Sequence, residues 1–170
     1  MLISSKAIVY GDDINTDLII AGKYTKTLDT NDLVAHVMED LDPLFRDKCA
    51  GGAFVVAGEY FGCGSSREQA PVALLEAGVQ CVVAKSFSRI FYRNAINIGL
   101  PIVECDTGFI ADGDILSYEL GSSHLFDITN GQSCKIMPLE PLMVKILNCG
   151  GMVAFMKKYG SFKALCEEEN

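Results

Sequence analysis

Two glycines, two serines, an arginine and a glutamate crowd into one stretch, Phe61-Gly62-Cys63-Gly64-Ser65-Ser66-Arg67-Glu68-Gln69, between an apolar run and a run of helix formers. The pattern predicts a strand, a glycine turn and a helix start. Gly62 and Gly64 allow backbone angles and close approaches that a side chain blocks, so a ligand over this turn can reach main-chain amides. Ser65 or Ser66 is placed to cap the helix, and Glu68 stands at the capping-box spacing from Ser65. The free N–H groups and positive end of such a helix attract anions. Arg67 adds a planar guanidinium that can grip a carboxylate with paired hydrogen bonds. A serine among such donors is favoured in its ionised form, and an alkoxide there can abstract a carbon-bound proton next to a carboxylate. The same residues also suffice for a well-capped helix after a tight turn, so the choice rests on the rest of the chain.

Other chemistries fit less well. A hydrolase elbow needs Gly-x-Ser-x-Gly with a histidine partner, and Gly64-Ser65-Ser66-Arg67-Glu68 is not that pattern; neither His36 nor His124 falls at a strand end. A phosphate-binding Gly-x-x-x-x-Gly-Lys-Ser/Thr run is absent, and the Gly62/Gly64 pair lacks the third glycine of a dinucleotide site. The seven cysteines, Cys49, Cys63, Cys81, Cys105, Cys134, Cys149 and Cys166, lie 14 or more residues apart. Their odd count and the apolar strand contexts of Cys81 and Cys105 imply reduced thiols rather than a disulfide framework, and their spacing shows no local zinc or iron–sulfur signature, so any metal chemistry is expected from another subunit. Net charge is −8, with 14 basic against 22 acidic side chains and no Lys/Arg cluster, which argues against nucleic acid as a partner. No apolar run approaches a membrane span, and the opening Met-Leu-Ile-Ser-Ser-Lys lacks the plan of a signal peptide, so a cytoplasmic location is expected.

The elements that must position the turn follow from periodicity and breakers. Lys6 to Tyr10 reads as a strand, followed by a polar loop through Asp12, Asp13 and Asp17. Asp17, directly before Leu18-Ile19-Ile20, is expected to be partly buried and to orient a cation such as an arginine. Ala21 to Asp29 reads as an ordered loop. Thr30 is predicted to cap a helix to about Asp40, with His36 on its polar side and given no role. Gly52 to Glu59 is predicted as a strand, Ser66 to about Gly78 as a helix, and Cys81 to Lys85 as a second buried strand. This β-turn-α-β unit places the Ser65 turn at the carboxyl end of its strand, where open α/β sheets bind ligands. A helix from Ser88 stops at Gly99 and Pro101, and Ile102 to Cys105 is the next strand. Short runs at Ile115 to Leu120, Leu125 to Thr129 and Cys134 to Leu139 predict an antiparallel meander. Glu140 to Tyr159 is helical and broken at Gly150-Gly151, and the Glu167-Glu168-Glu169 tail is expected to fray. The layout is one α/β domain over residues 1–170, with three layers, β/β/α.

Four of these segments also carry a family resemblance: Asn15-Thr16-Asp17-Leu18-Ile19-Ile20, Phe61 to Glu68, Lys85-Ser86-Phe87-Ser88-Arg89-Ile90 and Asn97-Ile98-Gly99-Leu100-Pro101. In order and interval the chain resembles the small subunits of 3-isopropylmalate dehydratase, which correspond to the swivelling C-terminal domain of aconitase. The resemblance implies a β/β/α swivelling domain that closes over a [4Fe-4S] cluster held by a separate large subunit, as a heterodimer or heterotetramer, with no cofactor bound by this chain. It makes Ser65 the base that removes the carbon-bound proton of a small di- or tricarboxylate. Arg67 would hold a substrate carboxylate, Ser66 and Gly64 would help position it, and Asp17 would support the cationic side. It assigns Tyr24-Thr25-Lys26-Thr27 to substrate choice, with Lys26 where relatives carry an apolar side chain or an arginine. The implied reaction interconverts 2- and 3-isopropylmalate in leucine biosynthesis. Homoaconitate or 2,3-dimethylmalate as substrate stands as the alternative, and a non-catalytic anion-binding domain as the alternative of another class.

Overall fold

The computed structural model describes residues 1–26 and 29–160. Seven strands, β1 (Leu2–Val9), β2 (Ala53–Ala57), β3 (Val79–Ala84), β4 (Ile102–Glu104), β5 (Ile115–Glu119), β6 (His124–Asp127) and β7 (Gln132–Lys135), form one sheet in the order β4-β3-β2-β1-β5-β6-β7. From β4 to β1 the pairing is parallel. From β1 through β5 and β6 to β7 it is antiparallel. The helices are α1 (Thr16–Ile19), α2 (Thr30–His36), α3 (Phe45–Cys49), α4 (Gln69–Glu76), α5 (Arg89–Ile98), α6 (Pro141–Asn148) and α7 (Met152–Tyr159), with a 3₁₀ turn at Gly22–Tyr24.

Register explains the layers. Side chains on paired strand positions share a face. Ile3 pairs with Tyr118 and Tyr118 with Leu125, while Ala7 pairs with Phe54 and Phe54 with Cys81, so all six lie on one face of the sheet. All six are buried. The opposite face is buried only in the parallel half, at Ile8, Val55, Val82 and Ile102, where α4 packs on β3 and α5 on β4. In the meander that face carries Glu119, His124, Phe126 and Lys135, all exposed. The parallel strands therefore lie between helices on one side and the meander on the other, which is the β/β/α arrangement, with both β layers belonging to one curled sheet.

Several boundaries differ from the sequence reading. β1 begins at Leu2 rather than Lys6, because Leu2 to Ser5 pair with Leu116 to Glu119 of β5. The cap of α2 is Asp29, whose Oδ1 accepts from Asn31 N, rather than Thr30. That helix stops at His36, where the chain turns to bury Val37 and Met38 and the Met38 N–H bonds the Ile19 carbonyl at 2.8 Å. Helix α4 starts at Gln69, and neither Ser65 nor Ser66 caps it. Pro71 accounts for the late start: within the first turn it costs no hydrogen bond, but in a helix begun at Ser66 its ring would strike the preceding turn. Thr27, Cys166 and the Glu167–Glu169 tail lie outside the described residues.

Candidate active site

The turn predicted to carry the chemistry is held from beneath by its neighbours at the carboxyl edge of the parallel strands. Gly62 N donates to the Ile14 carbonyl at 2.8 Å, Thr16 N to the Cys63 carbonyl at 2.8 Å, and Phe61 N to the Ser86 carbonyl at 3.0 Å. The loops after β1, β2 and β3 thus form a small extension of the sheet. Ser88, the cap of α5, donates through Oγ to the Gly62 carbonyl at 2.6 Å and accepts from Phe91 N. Under the turn Phe61 and Phe91 meet edge to face, their centroids 5.1 Å apart, with Phe87 against both. Gly62 has φ +74, and a Cβ there would fall 2.2 Å from Phe91 Cγ, so only glycine fits.

Above this floor, Gly64 (φ +94), Ser65 and Ser66 are exposed. Thr16, itself buried, fixes the middle of the turn by donating from Oγ1 to the Ser65 carbonyl at 2.9 Å. Among the described residues, none of the main-chain N–H groups from Gly64 to Glu68 donates a hydrogen bond, and the Ser65 hydroxyl has no partner. Successive amides left without acceptors are suited to an anion.

Arg67 lies beside them with its side chain only 18% exposed. Its Nη1 donates to Asp17 Oδ1 at 2.5 Å and to the Ile20 carbonyl at 3.1 Å. A Cβ on Gly22 would be 3.0 Å from Arg67 Nη2, so the backbone of the 3₁₀ turn forms part of the guanidinium's seat. Asp17 therefore does orient an arginine. The expected burial is absent, its side chain being 59% exposed, because Thr16 and Ile19 take the inner side of α1.

The Tyr24 loop is organised by a residue to which the sequence reading gave no role. His36 stacks on the Tyr24 ring at 3.7 Å between centroids and 5° between planes, and its Nδ1 is 2.7 Å from Glu39 Oε2. Lys23 lies over the other side of the cluster, its Nζ 4.6 Å from the Tyr24 centroid and 3.8 Å from Glu39. The hydrogen bond from His36 holds the Glu39 carboxyl below the usual range. Gln69 Nε2 closes the loop onto α4 by donating to the Thr25 carbonyl at 3.2 Å. Lys26 follows, exposed.

Thr16, His36 and Gln69 are thus parts of the site that sequence reading missed. Tyr60 is another, an exposed residue at φ +59 one position before the turn, where only glycine and asparagine are at ease. Asn15 alone left a signal, since an asparagine before Thr-Asp-Leu-Ile is a helix cap, and its side chain does accept from Leu18 N. Among the described residues no group of three or more His, Cys, Asp or Glu could hold a metal.

Comparison with known proteins bears on this geometry. The family model for the aconitase C-terminal domain matches residues 12–107, the segment that carries β2, β3, β4 and the turn. The 3-isopropylmalate dehydratase small subunit 1 of Methanopyrus kandleri is 48% identical over 162 residues, covering 94% of this chain and 95% of that protein. Small subunit 2 of Archaeoglobus fulgidus is 49% identical, covering 96% and 99%. The crystal structure of 3-isopropylmalate dehydratase from Methanocaldococcus jannaschii superposes with a TM-score of 0.88 over all of both chains, at 41% identity. The chain belongs to the aconitase C-terminal domain family, among the small subunits of 3-isopropylmalate dehydratase.

Proposed function

We propose that the chain is the small subunit of a hydro-lyase that interconverts 2- and 3-isopropylmalate, active only with its large subunit. The reading rests on the exposed Ser65 hydroxyl, among amides that donate to no acceptor in the described residues and beside Arg67. Membership among the isopropylmalate dehydratase small subunits favours this substrate over homoaconitate or 2,3-dimethylmalate.

On this reading a substrate carboxylate lies against Arg67 and the amides of Gly64 to Glu68, with Ser66 beside it. Asp17 and the Ile20 carbonyl hold the guanidinium plane so that its remaining N–H groups meet the carboxylate without a search for geometry. Ser65, ionised, takes the proton from the carbon next to a carboxylate as the neighbouring C–O bond breaks, giving the alkene, a protonated Ser65 and a departing hydroxide, which together carry off the elements of water. Returning water in the opposite sense, with the proton and hydroxyl exchanged between the two carbons, yields the isomer. A [4Fe-4S] cluster in the large subunit would supply the Lewis acid for the departing hydroxyl. Tyr24 and Lys26 border the substituent that distinguishes substrates. No helix among the described residues is long and apolar enough to cross a membrane.

The test is reconstitution with the large subunit. Ser65→Ala is expected to lower kcat by about 10²- to 10⁴-fold, the usual contribution of a positioned acid–base group, with binding of the large subunit retained. Turnover at the wild-type rate would remove Ser65 as the base, and retained anion binding without any turnover by the wild type would favour the non-catalytic reading.

A further inference from the structure

Outside the site, the described thiols are unevenly placed. Cys49 and Cys81 are buried, whereas Cys105, at the end of β4, and Cys134, in β7, are each partly open to solvent. β4 and β7 are the two edges of the sheet, as far apart in strand order as any pair. Register nevertheless puts both cysteines on one face. Cys134 pairs with Leu125, Leu125 with Tyr118 and Tyr118 with Ile3. Val103, two positions before Cys105, pairs with Val83, Val83 with Val56 and Val56 with Val9. Ile3 and Val9 are separated by an even number of residues along β1 and so point the same way. The curl of the sheet brings this face together, because Ile136 and Met137, just after β7, line one cavity with Ile102 and Val103 of β4. The Cys105 and Cys134 thiols are near enough to act on each other electrostatically.

The geometry points to Cys105 and Cys134 as a disulfide-forming pair, a modification site at which a low-molecular-weight disulfide oxidises both thiols and staples the two edges of the sheet. The exchange balances: one thiolate attacks the small disulfide and releases one small thiol, and the second then attacks the mixed disulfide and releases another. Two protein thiols and one small disulfide give one protein disulfide and two small thiols. Burial, and then the neighbouring Cys134, pushes the Cys105 thiol up to about 12. Cys105 is therefore protonated near neutrality, and its attack on a small disulfide or a mixed disulfide is expected to quicken as pH rises.

The experiment treats the folded chain with oxidised glutathione, quenches by alkylation and maps linked peptides by mass spectrometry. The expected result is a Cys105–Cys134 linkage as the dominant internal disulfide, lost when the chain is first unfolded in urea, with Cys105→Ser leaving a glutathione adduct on Cys134. The closed chain should also resist urea, its folded-to-unfolded ratio raised roughly a hundredfold by the loop constraint. Glutathione adducts on both residues without a linkage, a linkage formed equally in urea, or preferred pairing with Cys63 or Cys149 would overturn the proposal. A linkage that leaves the unfolding midpoint unchanged would overturn the stapling.

Discussion

Arg67 reaches Asp17 across 50 positions of sequence, and Nη1 also reaches the Ile20 carbonyl. A lysine would keep the charge but not the fork. Arg67→Lys should therefore lower kcat/KM of the reconstituted enzyme roughly 10- to 100-fold while leaving the thermal midpoint nearly unchanged. Thr16→Val keeps the shape of a buried residue but removes the donor to the Ser65 carbonyl. It should cost about 1–2 kcal/mol in urea unfolding and lower kcat, since the turn loses its central tie. His36 acts on the loop through the Tyr24 stack. His36→Ala should raise KM more than it lowers kcat, and His36→Phe, which keeps a ring, should restore most of the loss. Equal effects of the two substitutions would separate the loop from the stack.

At the level of elements, the Ser65 turn depends on α5 as much as on its own helix. Gly62 packs face-on against Phe91 of α5, so Gly62→Ala is expected to destabilise by about 2–4 kcal/mol in denaturant, from overpacking and the left-handed backbone together. A second junction ties the end of β1 to the start of α3. Tyr10 donates to Asp42 Oδ2 at 2.9 Å, and Lys48 reaches the same oxygen at 2.7 Å. Burial, then the hydrogen bond to Asp42, raises the Tyr10 phenol well above its ordinary value. A group whose folded pKa is raised stabilises fully below its unfolded pKa and loses that contribution as pH climbs. The Tyr10 contribution should thus begin to fall near about pH 10, and Tyr10→Phe should flatten that part of the alkaline decline. Tyr92 and Tyr118, raised by their own burial, and the thiols of Cys49, Cys81 and Cys105, raised likewise, contribute to the rest, the thiols from lower pH.

For the whole molecule, what could be read from sequence was what local rules govern. The Ser88 cap, the Gly99 stop, the βαβ unit and the meander all follow from residues within a few positions of each other, and all are present. The start of α4 was also legible, through Pro71, and was misread because the Ser65–Glu68 spacing matched a capping box. The seat of Arg67, the tie from Thr16 and the stack of His36 join positions far apart in the chain, and no local pattern announces them.

The match to the family model ends at Thr107, close to where the meander begins, and residues from Ile14 to Phe91 build the turn and its supports. The meander supplies a wall to the core on one face and leaves the other to solvent, with Phe126 47% and Ile128 59% exposed. Substitutions on that outer surface can therefore be made without disturbing the residues around Ser65. The fold keeps the face open to solvent apart from the elements that hold the turn.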